Sequence, residues 1–337
     1  MIRKPIMGML AALALVAAAC AGPGTPPTGT GSPAATEWPD ELVLGLVPSR
    51  EADVLIESAK PLTDYLTAEL SELAGKAVTV EGFVPTDYTG LVTAMETDQA
   101  DIGAFGPFSL LQARDRAGAE IVLQSVRFGS ATYHTQWFTN DPDTYCMDEP
   151  VADEDGWLYC NGTLEASEGP VGEEAIALIE PGTAVAFVET SSTSGYIFPA
   201  VQLINLTDIE DPIADLEAVE SGGHDNAVLA VYNSDGPMVG VSFDDARTSA
   251  FEAVPEDPEK VVVFAYSSEI PNDGWAVRGE LPQEVKDAIV QALLDYAASE
   301  EGKATLDAIY EIDDLVAADL DAFDVVQQAA DELGIEE

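Results

Sequence analysis

The sequence predicts an α/β fold divided between two lobes. Three observations lead there. Short apolar runs alternate with segments of helical period, the alternation breaks once and resumes, and roughly three hundred residues beyond the N-terminal segment exceed the usual size of one core. Residues 41–47 (ELVLGLV) read as the first strand, and 52–73 carry helical spacing through Leu55, Ile56, Leu62, Tyr65, Leu66 and Leu70. Residues 77–83 (AVTVEGF) alternate as a strand does, and 88–95 (YTGLVTAM) are helical again. A third strand, 102–105, is closed by Gly106-Pro107, a helix follows over about 109–117, and 121–126 make a fourth strand.

Near residues 131–138 the pattern lengthens into a β-rich stretch, and a second series then begins. It has a strand at 183–188 (TAVAFV), helices at 195–203 and 226–232, and strands at 238–242 and 261–266 (VVVFAY). An amphipathic helix is expected over 282–300, with acidic helical segments continuing to the C-terminus. No repeat of solenoid period is present.

The first nineteen residues, MIRKPIMGMLAALALVAAA, read as an export leader. Arg3 and Lys4 precede an apolar stretch that is too short to span a membrane comfortably and ends in small residues. Ala17-Ala18-Ala19-Cys20 is similar to a bacterial lipobox, which would make Cys20 the lipidated N-terminus. An ordinary secretory leader with an incidental cysteine is the alternative, and both export the chain. Residues 20–40, rich in Gly, Pro, Thr and Ser, form a flexible linker in this reading. The other cysteines, Cys146 and Cys160, flank the acidic stretch MDEPVADEDGWLY, and a disulfide between them would staple that insertion. No metal site is expected there, because neither of the two histidines lies in the loop.

Charge narrows the function. There are 62 acidic against 13 basic residues, and losing Arg3 and Lys4 with the leader moves the formal charge from −49 to near −51. Such a chain will not bind nucleic acid or anionic lipid electrostatically. With 47% apolar residues in periodic runs it is folded, and its acidic surface fits a saline habitat that screens self-repulsion. No G-x-S-x-G elbow, H-E-x-x-H, Walker loop or dinucleotide fingerprint occurs, which argues against hydrolase, metalloprotease, ATPase and NAD chemistry.

The stretch ETSSTSGYIFPA, residues 189–200, sets a run of hydroxyl residues, among them Ser191, Ser192, Thr193 and Ser194, before Gly195 at the start of a helix. Two readings fit. One hydroxyl caps the helix, or several hydroxyls and unpaired N–H groups together hold an anion.

Five segments resemble one family in order: LVLGLVPSREADVLIESAKPLTDYL, VPTDYTGLVTAMETDQADIGAFGPFSLLQA, ETSSTSGYIFP, SGGHDNAVLAV and SSEIPNDGWAVRGELPQEVKDAIVQALL. They are similar to the phosphate/phosphite/phosphonate substrate-binding lipoproteins of ABC transporters, the PhnD-like family, over about residues 41–315. The resemblance implies a type II periplasmic-binding fold with crossovers near 128–137 and 263–268. Lobe one would hold 41–127 and 264–337, and lobe two 128–263. It also implies a monomer on the outer face of the cytoplasmic membrane, passing a phosphorus oxyanion to a permease and its ATPase, with no cofactor. A binding protein for another small anion and a sensory binding protein are the alternatives.

By the same resemblance, Ser192, Thr193, Ser194 and Gly195 hold the phosphorus-bearing group. Tyr88 reaches the ligand, and Phe105, Gly106, Pro107, Phe108 and Ser109 form the facing loop. Some relatives have tyrosine where this chain has Phe105, so one hydroxyl contact is missing. His224 contacts ligand and, if protonated, supplies positive charge; His134 is structural. Asp245, with Asp244 adjacent, and Asp273 match carboxylates that take the ammonium of aminophosphonates in relatives, or they accept a proton from a P–OH group.

Overall fold

Two mixed sheets carry the fold in the computed structural model, which describes residues 37–166, 168–251 and 258–335. The leader, Cys20 and the linker as far as residue 36 lie outside the described residues. In the first sheet the spatial order is Asp314–Ala317, Glu120–Val126, Gly274–Val277, Ile102–Phe105, Glu41–Leu46 and Thr79–Phe83. The last three are parallel, and Gly274–Val277 runs antiparallel between Ile102–Phe105 and Glu120–Val126. In the second the order is Glu217–Glu220, Ala184–Phe187, Val239–Phe243, Thr135–Thr139, Val262–Tyr266, Leu158–Tyr159 and Val151–Ala152.

Each sheet is buried by amphipathic helices. Helix Ala52–Ala74 turns Leu55, Leu62, Leu66 and Leu70 inward against Leu42, Leu44 and Leu46, and each buried leucine stabilises by about 1.5–3 kcal/mol. Gly75 ends that helix in the left-handed conformation, φ 63°, which glycine adopts without strain. Behind the second sheet, Phe138, Ala186, Val188, Val228, Val231 and Val263 form a separate cluster. No helix among the described residues is long and apolar enough to cross a membrane.

The chain passes between the sheets through a two-stranded ribbon, Thr132–Tyr133 against Ile270–Pro271. Val262–Tyr266 pairs with Thr135–Thr139 as far as Tyr266 opposite Gln136, so the lobe boundary expected between residues 263 and 264 falls inside a strand of the second sheet. The C-terminal region also departs from the sequence expectation. Helices Gln283–Ala297 and Glu300–Tyr310 are followed by the edge strand Asp314–Ala317, where continued helix is expected. Only Leu315 of that strand is buried, so its apolar period is too short to read. Cys146 and Cys160 are joined, with Cα atoms 5.6 Å apart. Closing a loop of this length contributes about 3 kcal/mol on a chain-entropy account.

Candidate functional site

Four helix starts meet where the two sheets face each other. Asp87 caps helix Tyr88–Glu96 by accepting from the Gly90 N–H at 2.6 Å. Helix Pro107–Ala117 begins with proline at its first position, where the missing N–H costs nothing, and it has no side-chain cap of its own. Across the cleft, Ser192 caps a wide turn, Thr193–Ile197, by accepting from Gly195 N–H at 3.2 Å; helix Phe198–Leu206 continues it. Helix His224–Asn233 is the fourth.

Three of these starts are closed by the opposite half of the molecule. Tyr88 N–H donates to Glu189 Oε1 at 3.2 Å, Phe108 N–H to Thr193 Oγ1 at 2.9 Å, and His224 N–H to the Ser49 carbonyl at 3.2 Å. Thr89 and Ser191 hydroxyls add a contact of 3.1 Å. Thr193 Oγ1 accepts from Phe108, so its own O–H proton remains available. The first N–H groups of the turn, at Thr193 and Ser194, have no carbonyl of their own helix to meet.

Between the halves lies a small cavity of about 30 Å³. Of the residues expected from sequence, Tyr88, Gly106, Pro107, Ser192, Thr193, Ser194, His224 and Asp273 line it. Gly195, Phe105, Phe108, Ser109 and Asp245 do not. A side-chain carbon on Gly195 would stand 2.4 Å from Val188, so this glycine lets the turn pack on the strand behind it. Phe105 is wholly buried in the core, and Ser109 donates to the Gly106 carbonyl at 3.0 Å. Asp245 turns away to Arg247, whose Nε and Nη2 reach it at 3.0 and 2.6 Å, and to Tyr159 Oη at 3.1 Å. Burial raises the Asp245 pKa, but the charge and hydrogen bonds of Arg247 outweigh it and hold the carboxyl below its usual range.

Asp244 faces a second, larger chamber, of about 240 Å³, which shares Arg127, Tyr133, Phe243 and Glu311 with the first. It accepts from His134 N–H at 2.9 Å, and burial raises its pKa. His134 lines the same chamber with Nδ1 3.1 Å from the Ser267 carbonyl.

The cavity's cations are arginines that sequence reasoning does not reveal. Arg127 follows strand Glu120–Val126 and Asp273 precedes Gly274–Val277; these strands pair antiparallel with Gly274 opposite Gln124, which sets the two side chains together as an ion pair. Arg50 pairs with Glu311 at 3.5 Å. His224 is not a positive charge here: burial, then Arg127 and Arg50, push its pKa down to about 3. The neutral ring sits 2.8 Å from Ser242 Oγ through Nδ1 and 3.5 Å from Ser192 Oγ through Nε2. Burial first of all pushes Tyr88, Tyr133 and Tyr310 well above the ordinary tyrosine value, so all three are protonated donors at neutral pH.

Glu189 couples this clasp to pH. Burial pushes its pKa up from 4.5 to about 7; Asp87 and Glu220 add to the rise and the Tyr88 N–H opposes it. A carboxyl raised in this way favours the closed arrangement fully below about pH 4.5, and that contribution is lost as the pH climbs through about 7. Ligand affinity should therefore fall by roughly tenfold or more across that window in the native protein. In Glu189→Gln the slope should be shallower with the same ligand, measured by titration calorimetry at a series of pH values. Identical slopes would remove Glu189 from closure.

The profile of the ABC-transporter phosphonate periplasmic substrate-binding proteins matches residues 44–323. Over 258 residues the chain is 26% identical to a phosphonates-binding periplasmic protein of Escherichia coli (strain K12), spanning 75% of this chain and 67% of that one. A phosphate-import protein, PhnD, of Mycolicibacterium smegmatis is 27% identical over 233 residues, spanning 67% of this chain and 61% of its own length. The solved structure of PhnD1 from Prochlorococcus marinus, in complex with methylphosphonate, is similar in fold, with a TM-score of 0.68 at 18% identity over 88% of this chain and 99% of that one. With a profile match of that extent, a two-sheet fold and a cavity between its halves, the chain belongs to the periplasmic substrate-binding proteins of phosphonate ABC transporters.

Proposed function

We propose that the protein captures a small tetrahedral phosphorus oxyanion, a phosphonate, phosphite or phosphate, and presents it to an ABC permease and its ATPase. The observation that carries this reading is the cavity at the start of the Thr193–Ile197 turn. There Ser192, Thr193, Ser194 and Arg127 line one small space. Partial positive charge at a helix start favours an anion, and rotatable hydroxyls suit tetrahedral oxygens. The two relatives, a phosphonates-binding and a phosphate-import protein, support the same class of solute.

Capture requires no chemistry on the ligand. The solute enters while the halves are apart, the Ser192–Ser194 segment holds its oxygens, and the half bearing Tyr88 and Gly106 closes over it, a population shift driven by differential affinity. In this reading lobe one comprises the first sheet and its helices, and lobe two the second sheet with the Cys146–Cys160 insertion. Cys20 anchors the monomer to the outer face of the cytoplasmic membrane through lipid.

Titration calorimetry of the purified protein at high salt, with 2-aminoethylphosphonate, methylphosphonate, phosphite and phosphate, tests the solute class. Tight binding of one of the four is expected, and a folded protein that binds none would end this reading. One observation favours the aminophosphonate. Asp244, Glu269 and Glu311 line the adjoining chamber, where an ammonium substituent would meet Asp244 rather than Asp245.

A further inference from the structure

Phe128 is the most exposed large apolar side chain among the described residues, at 75%. Its backbone is strained as well. Arg127 and Ser130 exchange both backbone hydrogen bonds, at 2.9 and 2.8 Å, which leaves Phe128 and Gly129 as the central pair of a tight turn. Both have positive φ, 49° and 73°. Asparagine or glycine meets that demand with little strain, and a bulky aromatic residue does not. The turn is pinned in place: Gly129 N–H donates to Asp313 Oδ2 at 2.9 Å, and Asp313 N–H to the Val126 carbonyl at 2.8 Å. Strain of this kind collects at binding sites, where something other than folding maintains it.

The ring lines the larger chamber and, being exposed, stands at its open rim. That chamber shares Arg127, Tyr133, Phe243 and Glu311 with the small cavity, so a substituent on an oxyanion held in the cavity has the chamber beside it. At about 240 Å³ the chamber is far larger than one ammonium needs. Its polar groups are largely engaged: Arg127 pairs with Asp273, Glu311 with Arg50, and Asp244 accepts from His134 N–H. A primary ammonium, with three N–H donors to satisfy, meets few free acceptors there. The two arginine–carboxylate pairs cancel. Asp244 and Glu269 have no ion-pair partner among the described residues, and His134 is the other titratable side chain of the lining. The Phe243 ring is covered by Arg127 at 5.8 Å and His224 at 4.8 Å, which leaves Phe128 and Tyr133 as the aromatic walls.

We infer that the larger chamber receives a methylated ammonium: the solute is a phosphorus oxyanion carrying a trimethylammonium group on a short linker, and Phe128 is the aromatic wall at the chamber's rim. This rests on the oxyanion reading of the cavity and narrows its solute class. A trimethylammonium spreads its charge over methyl groups, asks for no hydrogen bond, and is attracted to aromatic faces and to a negative field. A phosphonate and a phosphate ester present the same two ends.

Titration calorimetry tests this with 2-(trimethylammonio)ethylphosphonate, phosphocholine, 2-aminoethylphosphonate and the uncharged isostere 3,3-dimethylbutylphosphonate. At least one of the two trimethylammonium ligands should bind the native protein about tenfold or more tightly than both the primary amine and the isostere. The tighter of the two identifies the linkage. Phe128→Asn should raise the melting temperature, because asparagine tolerates the turn, and should narrow that gap about fivefold or more. Phe128→Trp should keep the gap. A merely structural Phe128 would instead lower the melting temperature when replaced and leave the gap unchanged, which would remove it from the site. Native affinity for the primary amine or the isostere equal to that for both trimethylammonium ligands would overturn the inference and leave the oxyanion site intact. Failure to bind any of these, or methylphosphonate, phosphite or phosphate, would end the proposed function and this inference with it.

Discussion

Replacing Thr193 and Ser194 together by alanine lowers affinity for the phosphorus oxyanion by roughly two to four orders of magnitude. Two charge-assisted hydrogen bonds, at about 1.5–3 kcal/mol each, are removed. The backbone N–H groups and Arg127 remain, so residual binding is expected. Loss of the Thr193 acceptor also frees the Phe108 N–H, which opens one cross-cleft contact. Calorimetry on the double variant, beside a thermal melt showing that it is folded, measures the effect. A drop of less than about tenfold would mean that these two hydroxyls serve only contacts within the protein, as Thr193 Oγ1 does with the Phe108 N–H.

The largest effect on stability is expected away from the ligand, at Arg247. This side chain is fully buried, forks onto Asp245, donates from Nη1 to the Leu158 and Val261 carbonyls, and lies 4.5 Å over the Tyr159 ring. Arg247→Met keeps much of the volume but leaves the buried carboxylate without its charged partner and two carbonyls without their donor. Breaking one side of a buried pair typically costs about 3–5 kcal/mol. Urea unfolding should show that loss, with part of it recovered in the Asp245→Asn, Arg247→Met double variant. Asp245→Asn alone should destabilise the fold and leave ligand affinity within about twofold, since Asp245 stands outside the cavity. An affinity loss in that variant without a stability loss would return Asp245 to the ligand site.

Those two experiments divide what the sequence discloses from what it hides. Ser192 to Ser194 are legible because a hydroxyl run before a glycine at a helix start is a local pattern with a local cause. The alternating strands and helices are legible for the same reason. Arg127 and Asp273 are 146 residues apart and become neighbours only through antiparallel pairing of two strands, one of them the unread GWAV at Gly274–Val277. The neutral state of His224 depends on burial and on two arginines from other segments. Asp245 is different, because a signal was present: Arg247 stands two residues on, and an acidic residue that close to an arginine has a partner at hand before any ligand arrives.

The reciprocal capping of helix starts sets the character of the motion. Tyr88 N–H and Phe108 N–H find their acceptors on the far side of the cleft, and His224 N–H finds the Ser49 carbonyl. When the halves part, water can take each partner's place, so the exchange is close to neutral in free energy. Apart from the pH-dependent contribution of Glu189, a clasp made this way has little preference of its own between shut and agape. In the proposed function the bound solute then decides the balance, and its release removes the interaction that favours the shut state.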